Sequence, residues 1–204
     1  MKSTLHLTSE TWDRPIFGRI LRFFVFLFLI FGVWLGKAYG TPSVIVHCLN
    51  DPIHNFLQTP NEEVISNRES AKFLQISSSL FMDFTFFSLF TYWFLHGKSC
   101  RLILATIMFY SIRAISQILV QFKYPEGYDW QYPGFPSYVV HYGNTSDFFF
   151  SGPCGFLNIC ALEWMALGKK YMGYTVEAFN FYMAVVMLIF RVHYTVGKFY
   201  YGGF

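Results

Sequence analysis

The chain has 204 residues, of which 54% are hydrophobic, 22% aromatic and only 13% charged. A soluble domain carries about twice that charged fraction, so the composition is that of a membrane protein. The formal net charge of +3, with no cluster of Lys or Arg, gives no basis for a nucleic-acid partner.

The N-terminal stretch MKSTLHLTSETWDRP contains acidic residues and little Arg, a poor match to a transit peptide. The first apolar run comes late, is too long for a signal-peptide core and lacks a small-residue cleavage site after it. Five segments approach the ~20 apolar residues that a bilayer crossing needs, over roughly 16–39, 73–96, 101–122, 148–168 and 175–194. The expectation is therefore an all-α polytopic bundle of about five transmembrane helices, one membrane domain over 1–204. The 40–72 connection, with Pro42, Pro52 and Pro60, reads as a polar loop outside the bilayer. The 123–147 connection, with Pro125, Gly127, Pro133, Gly134, Pro136, Gly143 and Asn144, reads as a second one. Its Tyr and Trp suit a membrane interface.

Basic residues give an orientation. Lys2, Arg14, Arg19, Arg22, Lys98, Arg101, Lys169 and Lys170 share the N-terminal side, against Lys37, Arg68, Lys72, Lys123 and Lys198 opposite, with Arg191 near that boundary. The N-terminus is expected in cytosol or matrix and the long loops in a lumen or intermembrane space. This topology brings Ser151, at the start of the fourth segment, and His193, at the end of the fifth, to one level.

Charges within the spans are few, and such charges face a bundle interior or a cavity. Asp83 and Arg113 lie at similar depth on antiparallel segments joined by a short turn, and are expected to pair. The pair either fixes helix register, or Arg113 lines a polar cavity for a lipid phosphate. Glu163 is expected to snorkel to the cytosolic interface. Arg191 either anchors the opposite interface or holds a headgroup phosphate through its planar fork. The four Cys show no metal-ligand spacing. Cys154 and Cys160 are roughly 9 Å apart along a helix, too far for a disulfide, and read as packing residues.

Two motifs remain, SGP at Ser151–Pro153 and HYTVG from His193 to Gly197. Phosphoryl transfer through a covalent intermediate needs a nucleophile, a group that orients it and an acid for the leaving alkoxide. A Ser-Gly turn at a helix N-terminus can also offer N–H groups to a phosphate. In GKSCRLILATIMFYSIRAISQ, the Pro-Glu of KYPEGYD, GNTSDFFFSG and RVHYTV, the chain resembles the phosphatidylcholine:diacylglycerol cholinephosphotransferases of plants. Those enzymes belong with the sphingomyelin synthases and type 2 phosphatidic acid phosphatases. The resemblance covers about residues 60–197, weakly in its first third.

The resemblance implies a Ser-Gly-His block whose histidine is the acid, and a His-Tyr-Thr-x-Asp block with the nucleophile and its orienting aspartate. Ser151, Gly152, His193, Tyr194 and Thr195 match. Pro153 stands in the place of the acid and Gly197 in that of the aspartate. Such a site should turn over very slowly. The family also continues into a sixth helix, whereas eleven residues follow His193 here, two of them Gly202 and Gly203.

The expectation is a non-catalytic member of this fold, a structural or lipid-holding subunit of a membrane complex with vestigial His193, Ser151 and Gly152. Arg113, Arg191 and His193 are the candidates for lipid phosphate. No metal or cofactor is expected beyond a bound phospholipid, and the expected partners are membrane lipids and other membrane subunits. By analogy with enzyme-derived subunits of large respiratory and ATP synthase assemblies, a mitochondrial inner membrane is favoured over endoplasmic reticulum. The alternative is an active phosphocholine transferase using His193, with His141 or Asp147 standing in for the missing groups. A small transporter or channel is a third class, supported only by Asp83 and Arg113.

Overall fold

The computed structural model describes residues 18, 20–24, 27, 51–97, 99–119, 125–142 and 151–194. Most of the first apolar segment lies outside them, as do Asp147, Thr195 and Gly197. The described chain is all-α, without a strand among the described residues. In chain order the helices are α1 Pro52–Phe56, α2 Gln58–Ser66, α3 Arg68–His96, α4 Arg101–Leu119, α5 Gly152–Ala166 and α6 Lys170–Ile189. Two of them, α3 and α6, are long and apolar enough to cross a membrane.

The 40–72 connection is not simply a loop, since it contains α1, α2 and the start of α3. The local signals are caps. Asp51 accepts from Ile53 N–H at 3.0 Å, ahead of a proline in the first turn of α1. Asn67 accepts from Ser70 N–H at 3.2 Å and starts α3.

The hairpin of α5 and α6 is the centre of the bundle. α5 ends in a Schellman motif, with Gly168 at φ 78° and bonds from Gly168 N–H to Met165 C=O and from Lys169 N–H to Trp164 C=O. α6 therefore begins at Lys170, five residues before the position expected from hydropathy. It ends the same way. Arg191, at φ 53°, occupies the left-handed position, with Arg191 N–H to Leu188 C=O and Val192 N–H to Met187 C=O. This stops the helix at Ile189, so His193 lies in the turn beyond it and not within the span read over 175–194.

α4 packs on α5, whereas α3 packs on both α5 and α6; α3 and α4, although joined by a short turn, make no close backbone approach among their described residues. α4 meets α5 across Gly155, where a Cβ would sit 2.1 Å from the Phe109 ring. The absent side chain is what allows that proximity. Between α3 and α6, Phe81 stacks on Phe179 with ring centroids 4.2 Å apart, and the Ser77 and Tyr182 hydroxyls share a hydrogen bond at 2.7 Å. Phe86, Phe90 and Phe156 fill the middle.

The 125–142 segment folds back onto α3. Trp130 and Val140 are buried, and Trp130 Nε1 donates to His141 C=O at 2.9 Å. The Asp83 carboxylate accepts from Ser137 Oγ at 3.0 Å and from the Tyr138 and Val139 N–H groups at 2.8 Å each. A chain segment packed into a bundle must satisfy its backbone donors there. Asp83 does so for this one.

Candidate functional site

The SGP motif starts α5. Ser151 is the N-cap and its Oγ accepts from Cys154 N–H at 3.4 Å, while Pro153, at the second helical position, has no N–H to leave unsatisfied. The same hydroxyl donates to Met187 Sδ of α6 at 3.7 Å. Met187 lies six residues before His193, so the two motifs share one end of the α5–α6 hairpin.

Gly152 faces Arg113. A Cβ at Gly152 would lie 2.9 Å from Arg113 Nε and 3.0 Å from Cζ, so the guanidinium rests on the first turn of α5 where a side chain would otherwise be. A helix N-terminus carries partial positive charge. The guanidinium adds a full one, and together they favour an anion.

The expected Asp83–Arg113 pair is corrected by this geometry. Arg113 belongs to α4 and reaches α5, while Asp83 belongs to α3 and is engaged by the 125–142 segment. Because α5 packs against both helices, a match in depth did not become a contact. Arg113 and Gly152, which sequence depth did not join, are the residues brought together.

At the other motif, His193 is buried and its carbonyl accepts from His54 Nε2 at 2.9 Å. The His54 ring lies 5.5 Å from that of Tyr194, itself buried. Arg191 Nη2 donates to His54 C=O at 3.1 Å and Nη1 donates to Glu126 C=O. Asn61 Nδ2 donates to Ile189 C=O at 2.7 Å and to Gly127 C=O at 3.0 Å. Five donor–acceptor links thus tie α1 and α2, the 125–142 segment and the turn after α6 into one clamp around the His193 backbone. The guanidinium of Arg191 serves this clamp, which also explains a non-glycine residue at a left-handed position. Burial, the largest influence, lowers the pKa of His54 below its ordinary 6.5, outweighing its bond to His193 and the nearby Asp51 carboxylate. The imidazole is therefore a neutral donor at pH 7.

His54 and Asn61 are the site residues that sequence reasoning missed. Both lie in the segment read as loop, and the Asp51-Pro52 cap signature was the available signal that it is ordered. His141 is exposed on the 125–142 segment. Glu163 does not snorkel. It is buried, and its carboxylate takes a bidentate contact from Arg101 at 2.8 and 3.1 Å.

No group of three or more metal-ligating side chains occurs among the described residues. Neither curated proteins nor solved structures give a match. Comparison with protein families matches residues 56–200, from α1 through the HYTVG motif, to AtPDCT1/2. With the match covering more than half of its length, the chain belongs to the AtPDCT1/2 family, that of the phosphatidylcholine:diacylglycerol cholinephosphotransferases.

Proposed function

We propose that this family member is a non-catalytic subunit of a membrane protein complex that retains the lipid-holding part of a phosphotransferase site. The observation that carries the reading is the first turn of α5. Pro153 stands where the family resemblance expects an acid histidine, and a proline in that position has no proton to give. Gly197 in place of the orienting aspartate points the same way. The Ser151 hydroxyl is occupied with capping and with Met187, and the Arg191 guanidinium with the clamp. What persists is an anion-favouring corner, Arg113 on Gly152 at a helix N-terminus, suited to a phospholipid phosphate.

The full proposal has five membrane crossings, with a mitochondrial inner-membrane respiratory or ATP synthase assembly favoured over endoplasmic reticulum. It rests on hydropathy and analogy. The alternative, an active phosphocholine transferase, draws support from the family and from the buried, firmly held His193. One assay separates them. Purified full-length protein is given labelled phosphatidylcholine and diacylglycerol. No exchange above background is expected, and headgroup exchange abolished by His193→Ala refutes the non-catalytic reading. Lipid holding is tested by counting phospholipids that co-purify, with Arg113→Met expected to reduce the number.

A further inference from the structure

Polar contacts, not an apolar core, attach α1 and α2 to the bundle. Within α1 one residue is buried, His54, and within α2 one, Asn61. Each donates to a backbone carbonyl at or just beyond the end of α6, His54 Nε2 to His193 C=O at 2.9 Å and Asn61 Nδ2 to Ile189 C=O at 2.7 Å. The return contact, from Arg191 Nη2 to His54 C=O at 3.1 Å, is polar as well. Of the apolar side chains in the two helices, Val64 packs half-buried against the hydrophobic core, whereas Phe56 and Ile65 are exposed. An element with so little apolar burial belongs to the low-stability end of a structure. At 5 and 9 residues, α1 and α2 are also too short to stay helical once detached. What they cover is His193 and Tyr194, 4% and 1% exposed.

We propose that α1 and α2 form a proton-operated latch over His193: uptake of a proton from water by the His54 imidazole releases both helices from the turn after α6 and uncovers His193 and Tyr194. The charged and titratable groups around the ring set the direction. In α1, the Asp51 carboxylate lies 4.0 Å from Nε2 and favours an imidazolium, but it already accepts from Ile53 N–H as the cap. From the turn after α6 come the Arg191 guanidinium, bonded to the carbonyl of His54 itself, the Tyr194 ring at 5.5 Å and the carbonyl of His193. From the 125–142 segment, the exposed Glu126 and Gly127 enter the clamp through their carbonyls. Burial is the largest influence and disfavours the charged ring. Arg191 adds to it, and the bond to His193 and the Asp51 charge do not offset the two. Detached into water, the ring regains its ordinary value of 6.5. Protons therefore bind the open latch more readily than the closed one, and the open state gains as pH falls. The inference rests on the clamp and not on whether the site turns over. Headgroup exchange would refute the non-catalytic reading and leave this one standing.

The test is hydrogen exchange followed by mass spectrometry on the full chain in nanodiscs at about pH 7.5 and about pH 5, each rate divided by the intrinsic rate at that pH. The Leu57 and Asn61 amides, bonded to the Ile53 and Leu57 carbonyls at 2.8 and 3.0 Å, report on α1 and α2. Their protection is expected to fall with pH, by at most about thirtyfold, the limit for a closed form that takes up no proton and an open one with the ordinary histidine value. Amides of α6 between Val176 and Met187 should keep their protection, which separates latch release from unfolding. His54→Gln retains a donor that does not titrate, so α1 and α2 should be equally protected at both pH values. Asn61→Ala removes the other donor and should lower protection at both while keeping the pH response. Exchange of the histidine C2 hydrogens reads the wild-type ring itself and should give His54 a pKa below 6.5. Protection of α1 and α2 that ignores pH in the wild type, a pH response that survives His54→Gln, a parallel loss in α6, or a His54 pKa of 6.5 or above overturns the proposal. The first and last of these need no substitution.

Discussion

Asp83→Ala removes the acceptor that holds the Ser137 hydroxyl at 3.0 Å and the Tyr138 and Val139 N–H groups at 2.8 Å. A buried donor left without a partner costs about 1–3 kcal/mol. These three are partly buried, so water recovers some of that, and we expect a total of about 3 kcal/mol. Such a loss multiplies the open population of the 125–142 segment about a hundredfold. Hydrogen exchange followed by mass spectrometry in nanodiscs reads it directly, as faster exchange of the Tyr138 and Val139 amides. Asp83→Asn should fall between the two, since its amide presents a donor to one of the same N–H groups. A double-mutant cycle with Arg113→Met completes the test. Asp83 and Arg113 touch different elements, so their unfolding free energies should add within about 0.5 kcal/mol. Unchanged protection in Asp83→Ala, or a coupling above about 1 kcal/mol, would refute the assignment of Asp83 to the 125–142 segment.

Four further outcomes follow from the packing and the charges. Gly155→Val forces α4 away from α5, because its Cβ would lie 2.1 Å from the Phe109 ring; unfolding should show a loss of about 3 kcal/mol. Gly152→Ala should cost less, about 1 kcal/mol, since a flexible guanidinium can shift. Arg101→Met strands the buried Glu163 carboxylate; with the Arg101 side chain 55% exposed and water-screened, we expect about 2 kcal/mol, partly restored by adding Glu163→Leu. For His54, the folded protein binds a proton less readily than the unfolded chain. The stability it contributes is fully present above the unfolded value of 6.5 and is lost as pH falls through the lower folded value. Denaturation between about pH 7.5 and about pH 5 should show this slope, flattened in His54→Gln.

The four longer described helices were legible in the sequence because apolar content over long windows is a strong local signal, whereas α1 and α2, short and polar, were read as loop. Helix ends were less so. Hydropathy carried the fifth segment to residue 194, while the chain leaves the helix at Ile189 through a left-handed Arg191. Arginine at that position is not a stop signal on its own. Its guanidinium makes it one by reaching the His54 and Glu126 carbonyls, which are remote in sequence. The same remoteness hid the clamp around His193.

Composition and long apolar windows indicated the apolar, helical character, and the blocks GKSCRLILATIMFYSIRAISQ, the Pro-Glu of KYPEGYD, GNTSDFFFSG and RVHYTV together carried the family resemblance. Those properties are local or additive along the chain. Which charges meet was decided only by tertiary structure. Asp83 and Arg113 agree in depth, yet depth fixes one coordinate of three. The placement of α5 against both α3 and α4 sends Asp83 to backbone amides and Arg113 to Gly152.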